Sequence, residues 1–547
     1  MLLDQLQATE RGPLDFERDL HVEARTVLGR SPQPQNAFEV AVILETAGYD
    51  EEAAHARGAR DVFDLARRVL EVADLYTVPQ RLDGEDVPVA APPTFGNATG
   101  GASRFSASLL LRCVLYSVPW LMAIVALAVS RVSFWSTITT IQFSSTISLA
   151  LFVALIVTGA FIQAFARRGT FYALQGNRPL LWWTTRWTLG SAAVVTVAID
   201  ISLYLVLQYA LRAYTPASDR AFLWFGMSIS AMLIALSPLF MARAFGHVTI
   251  AAGAGAACVA LGGEWITRGQ YIYPYAAMRV QLVSIWLVVA LAIAFDVHVL
   301  RRVPRATEAK SLEQVRPPRL GAVVASVTGY AIYGAGFFLL IIVDQLVAGG
   351  LWSGRFVYDN DYELAIGAGL LILVPTLTYV TATNEVFTST VQAALASHTV
   401  TETAQLRLAM VRFYRRHLGV LVGVGLLSGA ALLLLGALAA SSLPITAALP
   451  KVYGLYAAAL LAYFMLAVGA LNSGLLFSVG RPTAPAVAVV AGALGSLLIG
   501  GALTGSLPHG WAAIGGLLGA TGLFALGTTV SAGRMFARFD TSYYRAF

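Results

Sequence analysis

The stretch FFLLIIVDQLVAGG, from Phe337 to Gly350, places one aspartate in a run that is otherwise apolar enough for a membrane interior. A carboxylate at the centre of a spanning helix costs roughly 2.5 to 3.5 kcal/mol on insertion scales, so intramembrane acids usually face a helix bundle or a water-filled cavity. Asp344 precedes Gly350 by six residues, which puts it about 10 Å deep at roughly 1.5 Å per residue. The sequence therefore predicts that Asp344 either lines a cavity as an ionised group or pairs with an arginine of the bundle.

The composition of the whole chain is typical of a polytopic membrane protein. Of 547 residues, 57% are hydrophobic and 12% are charged, and the mean hydropathy is +0.68; soluble domains have about 25% charged residues. Residues 1–100 hold nine arginines and eighteen aspartates and glutamates, a net charge of −9. Because the whole chain has a net charge of +6, the rest carries +15. This asymmetry predicts an acidic soluble head before a basic membrane body.

The head, residues 1–80, is predicted to be a small helical domain in the cytoplasm. In DVFDLARRVLEVADLY, Asp61 is placed to cap a helix. Apolar residues then recur at helical spacing: Val62, Leu65, Ala66, Val69 and Ala73. FEVAVILETAGYDEEAAHA predicts a helix that ends at Gly48 and a short one that begins near Asp50. Residues 81–104 are rich in proline and glycine and are predicted to be a linker. The head is either a docking unit for a cytoplasmic partner or a solvated appendage.

Twelve apolar segments beyond the linker are long enough to span a bilayer. Their approximate centres are Trp120, Leu151, Val197, Met232, Ala257, Trp286, Ala331, Leu371, Leu427, Leu461, Val490 and Leu518. The sequence thus predicts an all-α polytopic protein with a six-span lobe at 105–300, a basic linker at 301–319 and a second six-span lobe at 320–547. Arginines cluster after the even-numbered spans, so the positive-inside rule places both termini in the cytoplasm. We expect a multi-pass protein of the bacterial inner membrane.

Polar and aromatic groups inside the spans are the candidates for lining a transport cavity. They are Asp344, Asp200, Arg112, Glu264, Arg279, Trp120 and Gln345. For Arg112, and for Asp296 and Glu385 near predicted span ends, the alternative is an interfacial anchor, and for Trp120 it is an aromatic belt at the membrane surface. No catalytic triad, carboxylate pair or phosphate-binding loop accompanies them in the sequence. We therefore expect no enzyme activity, catalytic residue, metal, cofactor or nucleic-acid partner.

Five short patterns, in order along the chain, resemble a known family. LYSVPWLMAI (Leu115–Ile124) is similar to its first span and SLALFVALIVTGAFIQAFARR (Ser148–Arg168) to its second. IYGAGFFLLIIVDQL resembles its seventh span, YDNDYELAIGAGLLILVPTLTYVTATNEVF its proline-centred eighth span, and ARFDTSYYRAF its acidic, aromatic C-terminus. The family is the PelG-like exopolysaccharide exporters of the multidrug/oligosaccharidyl-lipid/polysaccharide flippase superfamily. Two positions depart from its pattern: Val118 replaces a glycine and Gln345 a lysine.

The resemblance implies export of a growing exopolysaccharide, with cationic amino sugars as one option, through a central cavity between two lobes. It also implies a cytoplasmic glycosyltransferase and other membrane subunits of a secretion complex as partners. Two alternatives remain open on the sequence. One is a cation-coupled multidrug antiporter of the same superfamily, and the other is a non-transporting membrane scaffold for a polysaccharide synthase.

Overall fold

We analysed a computed structural model of the chain, which describes residues 13–30, 37–77, 140–267, 274–302, 318–350, 355–397, 403–442 and 452–539 and a few isolated positions before residue 123. Within these ranges every regular element is helical. Eleven helices there are long and apolar enough to cross a membrane. They contain eleven of the twelve predicted span centres, which confirms the predicted all-α polytopic class. The first predicted span, around Trp120, lies largely outside the described residues.

Four helices form the head: α1 (Pro13–Arg30), α2 (Ala37–Thr46), α3 (Glu51–Ala56) and α4 (Val62–Thr77). The backbone N–H of Asp64 donates to Asp61 Oδ1 at 2.7 Å and that of Ala53 to Asp50 Oδ1 at 2.9 Å. These contacts confirm the predicted cap at Asp61 and the predicted start of a helix near Asp50. Gly48, with φ +95°, follows the end of α2 as predicted. The predicted apolar residues of α4 are all buried, so α1, α2 and α4 enclose a small core.

The membrane body continues with five helices that form its first half: α5 (Ile141–Leu174), α6 (Arg178–Leu205), α7 (Pro216–Met241), α8 (Phe245–Thr267) and α9 (Pro274–Arg301). The second half contains α10 (Leu320–Ala348), α11 (Asn360–Gly369), α12 (Leu373–Ser397), α13 (Thr403–Ser442), α14 (Tyr453–Ser478), α15 (Thr483–Leu503) and α16 (His509–Ala537). A single 3-10 turn, Leu370–Ile372, joins α11 to α12, so the two form one span.

Each half has an apolar core of its own. The first is built around Phe222, Phe225 and Ile229 of α7, and the second around Tyr463 of α14 and Phe524 of α16. Large apolar residues on the outer faces are exposed instead, and on α13 they include Leu426, Leu427, Leu434, Leu435 and Leu438. Such a surface suits lipid, because hydrocarbon solvates apolar side chains as well as a protein interior does.

Helix α5 of the first half and helix α10 of the second half pack against each other, and we call this contact the seam. The approach is closest at two glycines. A Cβ on Gly334 would lie 2.2 Å from the carbonyl oxygen of Gly159. A Cβ on Gly159 would lie 2.5 Å from Cδ2 of Phe338. Only glycine fits at these positions, because any larger residue would push the two halves apart.

We predict that Gly334→Val destabilises the protein, because overpacking typically costs about 1 to 3 kcal/mol and the clash here is with backbone. The measurement is thermal stability of the detergent-solubilised protein by fluorescence-detected gel filtration. Gly190→Val is the matched control, since a Cβ at Gly190 meets nothing within 4 Å. Equal melting temperatures for the two variants would contradict a close seam.

Candidate functional site

Asp344 lies in the second half at the end of α10 that is opposite its arginine-flanked start at Arg319. Its side chain is completely buried. The hydroxyl of Tyr362, in the first turns of α11, donates to Asp344 Oδ2 at 2.6 Å. Oδ1 has no hydrogen-bond partner among the described residues. Among the described residues, Asp344 thus has a tyrosine and no arginine as its side-chain partner, and its role in transport stays a prediction.

Two more polar side chains surround this carboxyl. Tyr463 of α14 is fully buried, and its hydroxyl has no described hydrogen-bond partner. Glu363, next to Tyr362, and Tyr463 both lie within electrostatic range of Asp344. We call Asp344, Tyr362, Glu363 and Tyr463 the carboxyl cluster. It brings two acids and two phenols from three helices together in an apolar setting, and polar groups buried there are costly unless they are paired.

The start of α11 fixes the position of Tyr362. Asp359 is the N-cap, and its Oδ1 accepts from the backbone N–H of Asp361 at 3.0 Å and of Tyr362 at 3.1 Å. The cap sets the first turn of the helix, which directs Tyr362 toward α10 and leaves Asp361 exposed.

The seam is closed by polar contacts at the end that carries Asp344. The backbone N–H of Tyr358 donates to Ser145 Oγ at 2.8 Å. The hydroxyl of Tyr214 donates to the carbonyl oxygen of Phe356 at 2.5 Å, and burial raises the pKa of this tyrosine to about 12. Tyr214 therefore keeps its proton, and the hydrogen bond, at any physiological pH. Phe152 and Phe356 pack edge to face beside them, with centroids 5.9 Å apart.

The opposite, arginine-rich end of the body joins the two halves by charge. Nη1 of Arg243, in the turn after α7, lies 3.3 Å from Oε1 of Glu385 on α12. The guanidinium carbon of Arg167 on α5 lies 5.4 Å from the ring centroid of Tyr330 on α10. Glu385, expected as an interfacial anchor or a site residue, thus bridges the halves. Both ends of the seam are in contact in this conformation.

The other predicted site residues are dispersed. Asp200 on α6 is fully buried against Gly226 of α7, and neither of its oxygens has a described hydrogen-bond partner. Gln345 is buried beside Asp344, Asp296 is half-buried and Arg279 is exposed. The side chains of Arg112, Glu264 and Trp120 lie outside the described residues. Gln345 is thus the neighbour of Asp344 in sequence, and Asp200 lies in the other half; their roles in transport stay predictions.

Sequence reasoning missed Tyr362, Glu363 and Tyr463 as members of a site. The local signal for Tyr362 was present in YDNDYELA, since a capped helix start points its third helical residue in a definite direction. Tyr463 had no such signal. It is one aromatic residue in an apolar span, and only the packing of α14 against α11 brings it to Asp344.

Comparisons with known proteins agree on the fold. No family model matches the chain, and no curated protein matches it. Among solved structures, a MATE protein in complex with MaL6 is similar with a TM-score of 0.51, 14% identity, and coverage of 80% of this chain and 97% of that one. A MATE protein in the bent conformation has a TM-score of 0.50 and 14% identity, and the match covers 80% of this chain and 95% of that one. An outward-facing multidrug resistance MATE family transporter of the MOP superfamily has a TM-score of 0.49 and 15% identity, and the match covers 80% of this chain and 96% of that one. The chain has a MATE-like fold over the 80% that these structures cover.

We predict that Tyr362→Phe lowers the thermal stability of the solubilised protein, because it leaves both oxygens of Asp344 without a side-chain donor, at a cost of about 1 to 3 kcal/mol. Tyr463→Phe is the matched control and should be nearly neutral, since that hydroxyl has no described hydrogen-bond partner to lose. Melting curves of the two variants, read side by side, check the assignment. A larger loss for Tyr463→Phe would show that the hydrogen bond to Asp344 is not the stabilising one.

Proposed function

We propose that this protein is a membrane transporter that exports a growing exopolysaccharide across the bacterial inner membrane, between its two halves. The observation that carries the transporter part is the MATE-like fold, which covers 80% of the chain. The polysaccharide part is supported by the five sequence patterns that resemble PelG-like exporters.

The location of those patterns adds support. The second-span pattern, residues 148–168, lies in α5, and the seventh-span pattern, residues 332–346, lies in α10. These are the two helices that form the seam. The eighth-span pattern begins at Tyr358, which bonds to Ser145. The resemblance is therefore concentrated in the surfaces along which the halves must separate to pass a substrate.

The contacts that close the seam are suited to opening. Among the described residues, the polar contacts between the halves include two hydrogen bonds beside Asp344 and one ion pair at the arginine-rich end. Hydrogen bonds contribute about 0.5 to 1.5 kcal/mol each and exposed ion pairs about 0 to 1 kcal/mol. Arg243 is itself largely exposed. Two conformations of a protein are both populated when they differ by only a few kcal/mol, and polar contacts of this strength are compatible with such a difference.

Under this proposal the glycan enters from a cytoplasmic glycosyltransferase, and further membrane subunits complete the secretion complex. A glycan with free amino groups would carry positive charge that carboxylates offset. Asp344 is fully buried in this conformation, so it meets such a substrate only after the seam opens.

A second candidate is a cation-coupled multidrug antiporter, and the carboxyl cluster is the observation that favours it. Buried Asp344 has one donor and a free Oδ1 among the described residues. Such a carboxyl can take up and release a proton or a small cation as its surroundings change. The five sequence patterns that resemble PelG-like exporters favour the exporter.

The proposal predicts that joining the two halves beside Asp344 blocks export. Ser145→Cys with Tyr358→Cys introduces thiols at two residues in contact across the seam, since the backbone nitrogen of Tyr358 lies 2.8 Å from Ser145 Oγ. In cells that make the polymer, oxidation of the double variant should abolish polysaccharide secretion, and a reductant should restore it. The two single-cysteine variants, treated identically, are the controls.

The same cells distinguish the candidates. Secreted polymer and efflux of cationic dyes are measured together on the oxidised and reduced double variant. Loss of polymer with unchanged dye efflux supports export of the glycan. Loss of dye efflux with unchanged polymer would identify an antiporter and overturn the proposal, and no change in either would overturn transport through the seam.

A further inference from the structure

The head does not hang free from the body but is seated on it through α2. Eight consecutive residues of this helix, Glu39–Thr46, are all buried. A helix that is buried on every side must have neighbours on every side. Val40, Ile43 and Leu44 supply the head's own core, and the remaining face is turned toward the membrane body. Helix α2 therefore lies between the apolar core of the head and the membrane body.

On the second half, the head binds the first turn of α10. The backbone N–H of Arg319, the N-cap residue of α10, donates to Glu45 Oε2 at 2.9 Å. The Arg319 guanidinium lies 3.7 Å from Glu45 Oε1 and 3.0 Å from Glu51 Oε1. A carboxylate at a helix N-terminus is favoured by the helix dipole as well as by the hydrogen bond. Because Glu45 is buried, solvent screens this contact less than it screens a surface pair.

On the first half, the head packs against the ends of α5, α6 and α9. Val42 of α2 shares an apolar cluster with Tyr172, Leu181 and Leu300, and Phe171 packs against the head's core. The same cluster includes Ala322 of α10, so the apolar cluster that contains Val42 joins the head to residues of both halves.

Charge reinforces this contact. Arg168 of α5 is buried, and its Nε and Nη2 have no described hydrogen-bond partner. Glu39 and Glu45 of the head lie within electrostatic range of Arg168, and Glu39 is also within range of Tyr330 on α10. Two acids of the head thus help to offset a buried cation of the first half, while Glu45 also holds the second half. Removing the head would leave Arg168 with fewer compensating charges.

We propose that the head is an intramolecular clamp, which holds the arginine-rich ends of the two halves together and must release before that end of the transporter can open. The inference rests on the proposed function in one respect, since opening is a step of transport. The clamp follows from its position: α2 is one rigid helix with contacts on both sides of the seam. Separation of the halves at this end must break either the Glu45–Arg319 contact or the packing of Val42.

The test uses the full chain in lipid nanodiscs, with the native Cys113 and Cys258 replaced by alanine and two pairs of spin labels. Arg302 of the first half and Thr483 of the second half are exposed at the arginine-rich end, and their labels report the separation of the halves. Labels on the exposed Arg67 of the head and on Thr483 report whether the head is seated. Distance distributions come from double electron–electron resonance.

Two variants weaken the clamp on different sides. Glu45→Gln removes the charge at Arg319, and Val42→Ser weakens the apolar cluster that joins the head to both halves. Glu71→Gln is the matched control, because Glu71 is an exposed acid of the same head and its loss changes the net charge equally. We expect either interface variant to lengthen the head distance and to raise the ratio of open to closed body about tenfold, the size of effect that loss of one charge-assisted contact produces. Glu71→Gln should change neither distance.

Two results would overturn the clamp. If the head leaves while the distance between the halves stays the same, the head is only an appendage. If the head stays seated in both variants, these contacts are not what holds it. Neither distance depends on which solute is transported. If the distances shift as expected but the protein exports no polysaccharide, the proposed substrate is wrong and the clamp still holds.

Discussion

The contact between Gly159 and Gly334 is the constraint on which the rest of the structure depends. The two halves of the body have separate apolar cores, so their relation is set by the surface along which they meet. Two glycines let α5 and α10 approach until backbone touches backbone, and the contacts at both ends of the seam then fall into reach. The Tyr358–Ser145 hydrogen bond and the Arg243–Glu385 ion pair both depend on that approach. A close-packed but weakly bonded interface of this kind holds one geometry without making its alternative inaccessible.

Charge is arranged asymmetrically around this seam. At the arginine-rich end, acids that bind the body's arginines come partly from the head, with Glu45 on Arg319 and Glu39 near Arg168. The net charges of −9 in the first hundred residues and +15 in the remainder are therefore complementary within one chain. Part of the acidity of the head is thus used within the chain, while Asp61 and Glu71 of the head remain exposed.

At the opposite end the polar groups are hidden from water. Asp344, Tyr362 and Tyr463 are buried where α10, α11 and α14 meet. The stability of a carboxyl in such surroundings changes with any motion that alters its hydrogen-bond donors. The reason is that the local dielectric constant is low, so each hydrogen bond is electrostatically stronger than in water. The cluster lies beside the contacts of Ser145 and Tyr214 that close the seam, so opening there changes the surroundings of Asp344.

The sequence by itself determined the helices and singled out Asp344 as a polar group inside a span. The length of the apolar segments predicted eleven spans that the structure contains. Asp50 and Asp61 correctly marked the starts of two head helices. Both signals are local, because hydropathy and capping depend on residues that are close in sequence. The same local rules could not supply the neighbours of Asp344: Tyr362 is eighteen residues away and Tyr463 much further, and nothing in one apolar helix specifies which helix packs beside it. The seating of the head was likewise decided only in three dimensions, since Glu45 and Arg319 are 274 residues apart and meet because the fold brings the start of α10 beneath α2.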